Sequence, residues 1–200
     1  YIDNLKLGIF PLWDPFVMWG ESTQIFLNYA GIYNPFWLLI GVFNACCLSF
    51  YYSFLFSIAL YFWVGQFGFY LLAKTVLGDS RAAYFAFILF LFSSVSMSMF
   101  SQYHPQLLYI PSIWFFYFLF SFFKNPSRFG CVGLALASAV ILTSYLPFYF
   151  LTVFLIVCPL MAVCYFRTIK AAIPQIIEFA RTRAITVILS AGVIALSFLP

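Results

Sequence analysis

Charge is what this chain has least of. Only 7% of its 200 residues are Asp, Glu, Lys or Arg, while 66% are hydrophobic and 24% aromatic. Soluble domains carry roughly 25% charged residues, so a water-soluble fold is excluded. No Asp, Glu, Lys, Arg or His falls inside the apolar runs from Tyr52 onward. That absence disfavours a proton- or ion-coupled transporter, which keeps ionisable groups at mid-membrane depth, and a voltage sensor with spaced arginines. The runs also lack the polar stripe of a solute channel. Histidine occurs once, at His104. The cysteines, Cys46, Cys47, Cys131, Cys158 and Cys164, lie in apolar runs without a CxxC spacing, so each reads as a small hydrophobe rather than a metal or redox ligand. Asn125-Pro126-Ser127 fails as a glycosylation sequon because proline fills its middle position. A start at Tyr1 without Met and an end at Pro200 within a hydrophobic run read as an internal fragment of a longer chain.

What charge there is follows a pattern. The net charge is +4, and the basic residues other than Lys6 fall in 74–81, 124–128 and 167–183. The turns at 101–105 and 144–147 have no Lys or Arg. Basic residues bias a loop to the cytoplasm, so the alternation reads as membrane topology rather than as nucleic-acid binding. About 20 apolar residues cross a bilayer. The expectation is an all-α polytopic membrane protein, a bundle of about six transmembrane helices forming a single domain over 1–200. Its spans are 52–73, 82–100, 106–123, 129–145, 148–166 and 184–200. Residues 1–35 form an external loop and 36–50 a short interfacial or re-entrant helix, because a second crossing before Lys74 would destroy the charge alternation.

Two stretches read as structural. Cys131, Ala135 and Ala139, with Gly133 and Ser138, make a small-residue stripe that lets another helix approach. Over 167–183, Ile169, Ile173, Ile176, Ile177 and Ala180 recur at helical spacing with Lys170, Glu178 and Arg181 off that stripe, so an amphipathic helix on the cytoplasmic surface is predicted, its cations on anionic lipid.

Polar chemistry gathers on the outer side. The first loop holds Asp3, Asp14 and Glu21 beside Trp13, Trp19, Gln24, Asn28, Tyr33 and Asn34. Aromatic faces beside carboxylates and amides suit sugar recognition, and the same rings suit a membrane interface. A second turn carries Gln102, Tyr103 and His104, and a third Thr143, Ser144 and Tyr145. A lone loop histidine is commonly just solvated, and hydroxyls at a helix end commonly satisfy backbone. All three turns face one side by topology, which favours one external site.

Gly8-Ile9-Phe10-Pro11-Leu12-Trp13-Asp14-Pro15, followed by Gly20 and a Tyr33-Asn34-Pro35 turn, resembles the YfhO-like bacterial membrane proteins. These belong to the GT-C type polytopic glycosyltransferases. Gly68-Phe69-Tyr70-Leu71-Leu72 and the Tyr103-His104-Pro105 turn are similar to that family as well. The resemblance implies an enzyme of the bacterial cytoplasmic (inner) membrane, moving a sugar from a polyprenyl-phosphate carrier to an envelope glycan or lipid acceptor on the external face. It implies Asp14 as metal ligand or catalytic carboxylate, with Glu21 and His104 assisting. Trp13, Trp19, Tyr103, Gln102 and Tyr145 would bind substrate. The implied cofactor is a divalent cation, Mg or Mn; the implied partners are a lipid-linked sugar and membrane lipids, without nucleic acid. Such a hydrophobic bundle equally suits a non-catalytic carrier of a lipid-linked glycan or an envelope scaffold.

Overall fold

The computed structural model describes the backbone of residues 13–14, 21–22, 34–101, 103–143 and 147–197. A two-residue antiparallel pair comes first, β1 (Trp13–Asp14) with β2 (Glu21–Ser22). Helices follow: α1 (Pro35–Ala45), α2 (Phe50–Leu77), α3 (Ser80–Leu91), α4 (Ser94–Ser101), α5 (Tyr103–Lys124), α6 (Arg128–Leu142), α7 (Pro147–Cys164), α8 (Phe166–Thr182) and α9 (Ala184–Leu196).

Short polar residues set the helix starts. Asn34 caps α1, its Oδ1 accepting from the Phe36 N–H at 3.1 Å, with Pro35 in the first turn where its missing donor costs nothing. Asp79 caps α3 through the Arg81 and Ala82 N–H groups, and Ser127 caps α6 through Gly130. Gly78 ends α2 at φ 72°, a left-handed conformation that glycine adopts without a Cβ clash.

The expected 36–50 segment stands apart as the 11-residue α1, with Cys46 and Cys47 in the turn before α2. The expected 82–100 run is divided at Phe92 and Ser93 into α3 and α4. Serine chemistry accounts for the division. Ser93 Oγ donates to the Phe90 carbonyl at 2.7 Å and accepts from the Ser96 N–H at 3.2 Å, so it ends one helix while capping the next. Helices with shifted ends cover the other expected segments, as α2, α5, α6, α7 and α9. By length and composition, α2 alone among the described residues is long and apolar enough to cross a membrane. Its 28 residues reach about 42 Å. Residues 150–164 of α7 together with α8 pass the same test only as a pair bent by 95°.

α5 occupies the middle of the bundle, packing against α2, α4, α6 and α8. One apolar cluster joins Phe36 and Ile40 of α1, Tyr61 of α2, and Leu107 and Ile110 of α5. A second joins Phe115 and Phe116 of α5 to Ala137 and Ile141 of α6 and Met161 of α7. Close approach is bought with glycine: a Cβ on Gly65 would lie 2.5 Å from Ile110 Cγ1, and one on Gly133 would lie 2.5 Å from Phe118 Cε1. The small residues of α6 serve two neighbours, with Gly133 against α5 and Cys131 Sγ 3.4 Å from Ser190 Oγ of α9.

Burial on α2 runs opposite to that of a soluble helix. Ser53, Ser57, Tyr61, Gly65 and Gly68, at steps of four and three, face inward and are buried. Tyr52, Phe56, Leu60, Trp63 and Phe67 form the parallel outward line and are exposed.

One end of the bundle gathers the basic segments. The Lys124 ammonium at the end of α5 donates to the Thr75 carbonyl, and the Tyr165 hydroxyl between α7 and α8 donates to the Val76 carbonyl at 3.3 Å. With the Gly78 N–H on the Lys74 carbonyl, three of the last four α2 carbonyls gain partners.

Candidate functional site

The ladder at the N-terminal end places Asp14 directly opposite Glu21 and Trp13 opposite Ser22. Both carboxylate residues named as catalytic thus occupy one rung, six residues of loop apart. Tyr103 and His104 lie in the first turn of α5. Trp19, Gln102 and Tyr145 lie outside the described residues, as do the side chains of Trp13, Asp14, Glu21, Tyr103 and His104. The hairpin brings Asp14 and Glu21 together. How it sits against the turn at His104 is outside the described residues.

Among the described residues, the feature most like a binding site is an apolar groove of about 410 Å³ between α1, α2, α5 and α6. Tyr61, Ile110, Trp114, Phe118, Gly133 and Val140 are among its walls, and no charged side chain lines it. Its volume is within the roughly 300–1,000 Å³ usual for small-molecule sites. The indole N–H of Trp114 is buried and has no hydrogen-bond partner among the described residues. That nitrogen lies against α2, where a Cβ on Gly68 would sit 2.9 Å from it. Next to the groove, the Asn34 amide sits beside the Tyr61 hydroxyl, yet Asn34 Nδ2 makes no hydrogen bond of good geometry among the described residues. A further polar pair lies between α2 and α4: Gln66 Nε2 donates to Ser96 Oγ at 2.7 Å, and Gln66 Oε1 has no partner among the described residues.

Comparison with protein-family models, curated proteins and solved structures finds no match. Function must therefore be argued from the residues themselves.

Sequence reasoning overlooked Tyr61, Gln66 and Trp114 because each sits in a long apolar run where nothing marks it as polar-facing. A signal was nonetheless present. Ser53, Ser57, Gly65 and Gly68 trace the inward face of α2, and Tyr61 continues that line at the same four-residue step. The sequence expectation places Asn34 in the external loop; the Asn-Pro pair at 34–35 is a helix-start signature, and the structure makes Asn34 the buried cap of α1. No group of three or more His, Cys, Asp or Glu able to hold a metal occurs among the described residues, and the side chains of Asp14 and Glu21 lie outside them.

Proposed function

We propose that this chain belongs to a polytopic protein of the bacterial cytoplasmic membrane that transfers a sugar from a polyprenyl-phosphate carrier to an envelope acceptor on the external face. The reversed burial of α2 carries the membrane part. Bulky apolar side chains outward and serine, glutamine and glycine inward make sense where the surroundings are hydrocarbon. The divided run 80–101 fits the same setting, because Ser93 satisfies backbone at the interruption. The short helices α3 and α4 then form one broken crossing.

The rung of Asp14 and Glu21 supports the catalytic part, together with the resemblance of residues 8–15 to YfhO-like proteins. A carboxylate there would take the proton of an acceptor hydroxyl as its oxygen attacks the anomeric carbon. The bond from that carbon to phosphate oxygen breaks, and the polyprenyl phosphate leaves with the electron pair. Paired carboxylates are an oxygen-donor set suited to Mg or Mn, and such an ion would offset the charge on the leaving phosphate. The uncharged groove beside Trp114 suits a hydrocarbon chain.

The test is transfer from a polyprenyl-phosphate sugar by the full-length protein, with expression and folding monitored. Replacing Asp14→Asn and Glu21→Gln together is expected to lower the rate by roughly 10²–10⁴-fold. Unchanged transfer by that folded double variant would remove the site assignment. One observation favours the non-catalytic reading, as glycan carrier or scaffold: the buried polar residues among those described are only Asn, Gln and Ser. A protein that binds the lipid-linked sugar without ever transferring it would establish that alternative.

A further inference from the structure

Past the 95° bend at Tyr165, α8 runs across the basic end of the bundle. One side of it is packed: Ala172 is buried, and the Phe179 ring meets Phe122 of α5 edge-on at 5.4 Å. Phe166, Lys170, Ile173, Ile177 and Arg181 follow one another at steps of four, three, four and four, and therefore share one outward face, with Lys170 and Arg181 along its edge. That face is open. Phe166 is 63% exposed, Ile173 50% and Ile177 63%, and Lys170 and Arg181 are exposed with them. Arg167 adds a third exposed cation, against Glu178 as the only acid on the helix.

A large apolar ridge edged by cations does not suit water, nor does it suit the middle of a bilayer. It suits the boundary, where apolar side chains enter the acyl region and cations stay among phosphates. We infer that α8 lies in the inner membrane interface and selects anionic phospholipids there, with Phe166, Ile173 and Ile177 in the acyl layer and Arg167, Lys170 and Arg181 on headgroup phosphates. The inference rests on the membrane reading above and deepens it: the bend converts a helix that would otherwise continue a span into a lipid-reading surface. Net positive charge on the exposed face is what makes the occupant an anionic bilayer rather than another apolar helix.

The experiment uses the full-length protein in bilayers containing spin-labelled phosphatidylglycerol or spin-labelled phosphatidylcholine, with the association constant of each measured from its immobilised fraction. The native protein is expected to prefer phosphatidylglycerol. The combined Arg167→Gln, Lys170→Gln and Arg181→Gln variant should weaken that preference by roughly fivefold per cation removed, the equivalent of about 1 kcal/mol each. Added salt should erode it further. An Arg167→Lys, Arg181→Lys variant should keep it, since charge rather than guanidinium shape is being read. Equal association of both lipids with the native protein, or an unchanged preference in the Gln variant, would overturn the assignment to α8 while leaving the membrane reading intact. A protein that never enters the bilayer would remove both.

Discussion

Gly65 shows how much a single hydrogen atom does here. Its missing side chain is filled by Ile110, and a Cβ would overlap Ile110 Cγ1 at 2.5 Å. Gly65→Ala is therefore expected to destabilise the α2–α5 contact by about 1–3 kcal/mol, the usual cost of overpacking. Thermal unfolding in detergent measures it, and a compensating Ile110→Val should recover part of the loss. A variant as stable as the native protein would mean that α2 and α5 are less tightly joined than the structure has them. Residue by residue, this level of detail was the least legible in the sequence. Gly68 is marked in the sequence only by a family-like string and Gly65, one helical turn earlier, by nothing, because which neighbour a glycine accommodates depends on the partner helix. The same reason hid Trp114, whose indole N–H lies against Gly68 of α2 with no partner among the described residues.

At the scale of elements, the sequence was informative where polar punctuation is strong. The turn at Gly78-Asp79 joins a left-handed glycine to an N-cap, so one dipeptide both stops α2 and starts α3. Asp79→Ala should cost about 1 kcal/mol through loss of the cap, and Gly78→Ala a similar amount through backbone strain. Urea or thermal unfolding of each variant checks this, with the prediction that Asp79→Asn, which keeps the capping oxygen, is nearly neutral. The interruption at Phe92-Ser93 was not legible. Serines in 93–98 read as tolerable members of an apolar span, and only the double hydrogen bonding of Ser93 distinguishes a break from a continuous helix. The end of α7 posed the opposite case. The amphipathic stretch after Phe166 was readable from its 3.6-residue periodicity, and a surface helix following an apolar run implies a turn between them; the structure bends by 95° at Tyr165, where no glycine marks the corner.

For the whole molecule, the membrane reading makes a prediction that native cysteines can test. Cys46 and Cys47 are exposed beside α1, and Cys164 is exposed where α7 meets α8. The proposed topology puts the first pair outside and Cys164 inside. In sealed right-side-out vesicles, a membrane-impermeant maleimide is expected to label Cys46 and Cys47 but to reach Cys164 only after permeabilisation. Single-cysteine versions separate the sites, and labelling of all three from one side would refute the alternation of basic segments as a topology. The helical architecture itself was legible from composition and charge spacing alone. What those could not supply is which helix occupies the middle: α5 carries no sequence mark of its centrality beyond aromatic bulk, yet it contacts α2, α4, α6 and α8.

The last turn of α2 carries a timing consequence. Its Thr75 and Val76 carbonyls take hydrogen bonds from Lys124 and Tyr165, which lie 49 and 89 residues later in the chain. Synthesis proceeds at about 5–20 residues per second, so the first partner emerges roughly 2–10 s after α2 and the second roughly 4–18 s after it. During that interval water must serve those carbonyls. The exchange of water for Lys124 and then Tyr165 makes closure of this end a late, ordered event in biogenesis, completed only once the chain has been made as far as the start of α8.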